Sequence, residues 1–137
     1  MWFGHEGTPL VDELAALVLS GVKRGTAGLA RYVDLGLEPE AKVGAYWILV
    51  DGNNAAKAVT QTTRVDIEPF AAVTEEFAWI EGEGDRSLRH WQTAHGAFFE
   101  SEARMDGFIF HDQMPVILER FIVVFPPEFT DQRSPKP

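Results

Sequence analysis

Two short stretches of this chain carry residue types from which hydrolytic sites are built. In "SGVKRGTAG", Lys23 and Thr26 stand three apart, just beyond a helical pattern. A lysine and a hydroxyl converging on a cavity make a nucleophile pair. On a regular strand an odd spacing sends them to opposite faces. Gly25 between them permits a bulge or turn that could bring both to one side. The alternative is an ordinary polar loop, and spacing alone does not choose. The second stretch, "FAWIEGEGDRSLRHW", spaces Glu81, Glu83 and Asp85 by Gly82 and Gly84. Such a loop is a cation site, a catalytic acid or a solvated connection.

Several chemistries fall away. The chain has no cysteine, so thiolate catalysis, disulfides and zinc-thiolate sites are impossible. There is no nucleophile-elbow serine, no His-Glu-x-x-His and no Walker loop. The carboxylates of "GEGD" would repel a phosphate. An EF-hand needs a closing bidentate Glu that the acidic loop does not supply. His90 and His95 are five apart and diverge on a helix, and His5 and His111 lie far off in sequence. No metal and no cofactor is assigned. Glu83 and Asp85 read as a solvated connection whose glycines allow positive φ. Glu81 follows "FAWI" directly, so a packed helix end holds it near the core, and it is the carboxylate assigned to a site.

The elements that must position these groups are legible in outline. Thr8-Pro9 reads as a cap and first helical residue, with Leu10, Val11, Leu14, Leu17 and Val18 at helical spacing and Gly21 as the stop. A helix is predicted over 9–20, and a loop then enters a strand near Thr26. "YWILV", the turn "DGNN" and the alternating run to Pro69 form a hairpin. In the returning strand Val59, Gln61, Thr63, Val65 and Ile67 share one face, and Thr60, Thr62 and Arg64 the other. Thr74 caps a short helix "EEFAWI". Asp85 or Ser87 caps a second, whose apolar stripe is Leu88, Trp91, Ala94, His95, Phe98 and Phe99. His95 and these aromatics, with Trp79, read as core, and His95 as a hydrogen-bonded packing residue. Glu119, in the strand "PVILERFIVVF", needs a partner if buried, with Arg64 and Arg120 as candidates. Residues 126–137 read as a loose tail after one domain spanning 1–137. The class is α+β: a small β-barrel or strongly bent mixed sheet decorated by helices.

Length and charge bound the partners. At 137 residues the chain can bury a real core. The N-terminus lacks signal-peptide character and no run approaches the ~18 apolar residues of a membrane span. A cytoplasmic protein is the default, with no membrane partner. The formal net charge of −9 disfavours long DNA or RNA, which need a basic surface. A small, weakly charged ligand is favoured.

Over about residues 8–125 the chain resembles the ASCH domain family, whose fold is a PUA-like β-barrel. The resemblance rests on Gly21-x-Lys23-x-x-Thr26, "TTRVDIEPF", "EEFAWIEGEGDRSLRHWQTAH" and "PVILERFIVV". It implies an RNA- or nucleoside-related role. A small bacterial type of the family hydrolyses the acetyl amide of acetylcytidine, and another ASCH type is a ribonuclease. By position the resemblance implies Lys23, Thr26 and Glu81 as catalytic residues, with Glu83 the competing alignment. Arg24, Arg31, Tyr46 and Trp79 are the expected contacts to a nucleoside-like ligand or short RNA, the cations for oxygens and the rings for stacking. Gly25 and Gly28 depart from the pattern, standing where larger or hydroxyl residues are common. A binding module without chemistry is the rival expectation.

Overall fold

The structure is a computed structural model and describes residues 9–131. The predicted cap Thr8, His5 and the end of the tail therefore lie outside the described residues. The elements run α1 (Pro9–Leu19), β1 (Gly25–Leu29), α2 (Ala30–Asp34), β2 (Tyr46–Val50), β3 (Ala56–Pro69), α3 (Glu75–Glu81), α4 (Leu88–Asp106) and β4 (Pro115–Phe125). Single 3-10 turns follow β3 and β4. The strands form one curled sheet in the order β1-β4-β3-β2. All three pairings are antiparallel, so the α+β class holds while the sheet has no parallel component. Among the described residues no helix is long and apolar enough to cross a membrane.

Register shifts at Leu49/Val50, Val59/Thr60 and Thr62/Arg64 insert extra residues into the ladder. Each bends its strand and increases the local twist, which curls the sheet into a half-barrel. Two cores result, one on each face. Val116 and Leu118 of β4 pack with Leu29, Tyr32, Phe70, Phe77, Trp91 and Phe99, beneath α2, α3 and α4. Phe121 and Val123 have the opposite strand parity and pack with Leu14, Ala15, Val18, Leu49 and Ala58 beneath α1.

This second core decides which of the two faces of β3 is the inner one. Ala58, Thr60 and Thr62 are the buried set, and Ile67 is exposed. Burial beneath α1, not side-chain polarity, decides the inner face, and small residues there let the helix approach. Thr62 donates its hydroxyl to Glu119 at 2.6 Å, so the partner of Glu119 is a threonine. Arg64 pairs instead with Asp66, and Arg120 with Glu76. The chain after β4 is not loose where it is described. It turns at Pro127–Phe129, and Asp131 returns to β4, donating its N–H to the Val123 carbonyl at 3.0 Å.

Candidate functional site

The end of α1 aims Lys23. Gly21 has φ +88°. The Gly21 N–H reaches the Val18 carbonyl, and the Val22 and Lys23 N–H groups both reach the Leu17 carbonyl. This is a Schellman-type termination, which needs a left-handed residue just past the helix. It reverses the chain, so Lys23 enters the interior with 1% of its surface exposed. Its ammonium donates to the Gly25 carbonyl at 2.7 Å and to Glu83 Oε2 at 2.9 Å, and lies 4.0 Å from Glu81 Oε1.

The acidic loop reaches Lys23 because its glycines let it pass. Thr74 caps α3 by accepting the Phe77 N–H, and Gly82 ends the helix in the left-handed region. A Cβ on Gly82 would stand 2.3 Å from the Val22 carbonyl oxygen and 2.9 Å from Lys23 Cα. A Cβ on Gly84 would stand 2.3 Å from His90 Nε2. The two glycines therefore serve close approach as well as positive φ, and they direct Glu81 and Glu83 to the same ammonium. Asp85 accepts the Ser87 N–H, and Ser87 caps α4. Asp85 alone matches the reading of a solvated connection. Glu83 does not, with only 19% of its side chain exposed.

Behind this pair lies a support in which Trp91 is core and His95 the hydrogen-bonded packing residue expected on α4; that both hold Glu81 was not read from the sequence. Glu81 is wholly buried. It accepts the Trp91 indole N–H at 2.9 Å and lies 2.8 Å from His95 Nε2. His95 stacks on Trp91 with centroids 4.3 Å apart, and its Nδ1 is 3.1 Å from the Trp91 carbonyl. That carbonyl can only accept, so Nδ1 carries a proton. Burial works against ionising Glu81, but Lys23, then His95 and Glu83, outweigh it and hold the carboxyl at about 2. Burial raises Glu83, and its hydrogen bond to Glu81 adds to this, so the carboxyl is pushed up to about 7 despite Lys23. Burial also opposes the His95 imidazolium, yet the hydrogen bond and charge of Glu81 raise it above its usual range. Two carboxyls in contact are thus driven in opposite directions, Glu81 down and Glu83 up.

An oxygen from each of Glu81 and Glu83 and a nitrogen of His95 lie within 4.8 Å of one another. In type this donor set suits a divalent cation. The Lys23 ammonium already stands against both carboxylates, however, and His95 is committed to Glu81. The positive charge the cluster needs is supplied from within the chain.

A family model for the ASCH domain matches residues 1–125. The chain belongs to the ASCH domain family. A crystal structure of an ASCH domain from Lactobacillus crispatus JV V101 is 31% identical over 90% of this chain and 77% of that one, with a TM-score of 0.84. A protein structure from Enterococcus faecalis V583 is 32% identical over 90% of this chain and 74% of that one, with a TM-score of 0.81. No curated protein matches.

In this ASCH domain, Lys23, Thr26 and Glu83 line one cavity of about 720 Å³, together with His90 and His95. The sequence pattern on α4 now has a reason. Trp91 and His95 are one turn apart, so both face Glu81. Glu81 lies behind the wall instead of in it. Gly28 also lines the cavity, and a Cβ there would meet nothing within 4 Å, while one on Gly25 would press on Phe77 at 3.3 Å. The first glycine widens the space and the second allows the strand to pack. The remaining expected contacts are elsewhere. Arg24 is bound to Asp131. Arg31 lies over the Phe108 ring, 4.2 Å from its centroid. Trp79 is exposed on α3, neither core nor cavity wall, with the Arg86 guanidinium 3.8 Å above it. Tyr46 is exposed on β2 opposite Gln61. None of these four lines the cavity.

Proposed function

We propose that this ASCH domain hydrolyses the exocyclic amide of an N-acylated nucleoside such as acetylcytidine. The observation that carries the reading is the buried Lys23–Glu83 pair at the wall of a cavity that Thr26 also lines. Glu83, with a carboxyl at about 7, takes the proton from the attacking hydroxyl, that of Thr26 or of a water held against it. The oxygen adds to the acyl carbon, and Lys23, a donor fixed in a low-dielectric site, stabilises the oxyanion that forms. Glu83 returns its proton to the departing nitrogen as the C–N bond breaks and the amine leaves. With water as the nucleophile the free acid is left; with Thr26 the acyl group stays on its oxygen as an ester, which a water activated by Glu83 then cleaves to free acid and the regenerated hydroxyl. Against burial, Lys23 and His95 favour the ionised form of Glu81, and burial, with that carboxylate, favours a proton on Glu83. The reading moves the acid–base role from Glu81 to Glu83.

Chromatographic assay of acetylcytidine with wild type, Glu83→Gln and Thr26→Ala tests this. The wild type is expected to release cytidine and acetate, and Glu83→Gln to lose about 100-fold or more of kcat. Wild-type protein that leaves acetylcytidine intact, yet binds short RNA with a steep salt dependence, would establish the binding module in place of the hydrolase.

A further inference from the structure

Arg24 lies outside the cavity, but the groups it holds are those that place Lys23. Its Nη1 donates to the Lys23 carbonyl at 2.8 Å and to the Val18 carbonyl, in the last turn of α1, at 2.7 Å. Its Nε and Nη2 grip Asp131 at 2.6–3.1 Å. Asp131 Oδ2 in turn accepts the Val123 N–H of β4 at 3.0 Å, and the Asp131 N–H donates back to the Val123 carbonyl. The Arg24 backbone is held as well, its N–H by the Ile80 carbonyl of α3 and its carbonyl by the Phe121 N–H. One guanidinium therefore joins the end of α1, the peptide of Lys23 and the segment after β4.

We propose that Arg24 and Asp131 form a positioning clamp that sets the Lys23 ammonium against Glu83. The inference rests on the reading of Lys23 as the cation of the site. A planar fork held by a carboxylate through two of its nitrogens can present the third to two carbonyls only in a fixed orientation. Lys23 has its carbonyl in that grip and its N–H on the Leu17 carbonyl. Its side chain therefore starts from an anchored peptide. A lysine on a tethered backbone keeps one geometry at low entropic cost, and small misplacements at such centres reduce rates steeply. Loss of the carboxylate frees the fork, and loss of the fork frees the peptide.

The test compares Asp131→Asn, Arg24→Lys and Arg24→Gln with wild type. The readouts are kcat and KM on acetylcytidine, and the acylation rate of Lys23 by acetic anhydride, followed by peptide mass spectrometry. The clamp predicts a fall of about tenfold in kcat for Asp131→Asn with KM within about twofold. It predicts faster Lys23 acylation in a protein that still melts cooperatively. Arg24→Lys keeps the charge beside Lys23 but not the fork, and it should behave as Arg24→Gln does. Wild-type kcat and labelling in Asp131→Asn, or full function in Arg24→Lys, overturn the clamp. If wild type does not turn over acetylcytidine, the proposed reaction fails, while the labelling rates still decide the clamp. If Asp131→Asn does not fold, the Arg24→Lys comparison decides it.

Discussion

At the scale of single residues the two neighbouring glutamates have separate duties, and this separation is measurable. Glu81 is an anion with no exposed surface, tied to Trp91, His95 and Lys23. Glu81→Ala removes one partner from a buried charge cluster, which costs about 3–5 kcal/mol, so a large drop in Tm is expected. Glu83→Gln should leave Tm little changed at neutral pH and act on catalysis. Equal stability losses in the two variants would contradict this division. The sequence reading could rank Glu81 by its nearness to a packed helix end. It could not rank Glu83, because the close approach of Gly82 to Val22 and Lys23 joins segments almost sixty residues apart. Gly82→Ala should accordingly be among the most damaging small substitutions, since its methyl would displace the Lys23 backbone. Thermal melts and Lys23 labelling of that variant are the measurement.

At the scale of elements the caps and stripes were legible. Thr74, Ser87, the αL glycines, the hairpin at "DGNN" and the closing strand all follow local rules. The sidedness of β3 and the two-faced burial of β4 were not. They depend on bulges and on where α1 docks, and both are tertiary events. The short α2 was also missed, because "ARYVD" is too brief to show a period. The turn from α3 to α4 has a consequence for stability against pH. Glu83 is held at about 7, above the usual value of ~4.3. A raised acid contributes stability that is full below its unfolded pKa and is lost as pH rises through its folded pKa. His95, also raised, contributes in the same direction at the alkaline end of that range. Stability should therefore fall between about pH 4.5 and 7.5, by about 3 kcal/mol for Glu83 alone. Glu83→Gln should reduce that slope in urea titrations across the range, leaving the part that His95, Glu38 and Glu102, all raised as well, contribute. Activity should run the other way in the wild type, because the base must be ionised, and kcat/KM should rise through pH 7. A wild-type slope unchanged by Glu83→Gln would remove Glu83 as its source.

At the scale of the molecule the charge of −9 is reproduced inside the cavity. Glu13, Glu38, Glu83 and Glu102 line it, and Lys23 is the lining residue of opposite fixed charge. Burial raises Glu38, and burial, Glu38 and Asp106 together push Glu102 to about 7. These side chains lie on α4 and on the segment after α2, away from the acidic loop. A 5′-phosphate entering here would meet these carboxylates with, among the described residues, Lys23 alone of the lysines and arginines to offset them, and an uncharged nucleoside escapes that repulsion. The domain should therefore turn over a free acylated nucleoside faster than its 5′-monophosphate, and by a wider margin at low salt than at high salt. The double variant Glu38→Gln, Glu102→Gln should narrow the ratio of kcat/KM for the two substrates by about tenfold, chiefly by improving the nucleotide. Glu38 and Glu102 contact neither Lys23 nor Glu83 in the bonds that hold the reacting pair, so turnover of the nucleoside should stay near that of wild type. A ratio that does not move in the double variant, or that is already near one in the wild type, would mean that the acidic wall plays no part in selection.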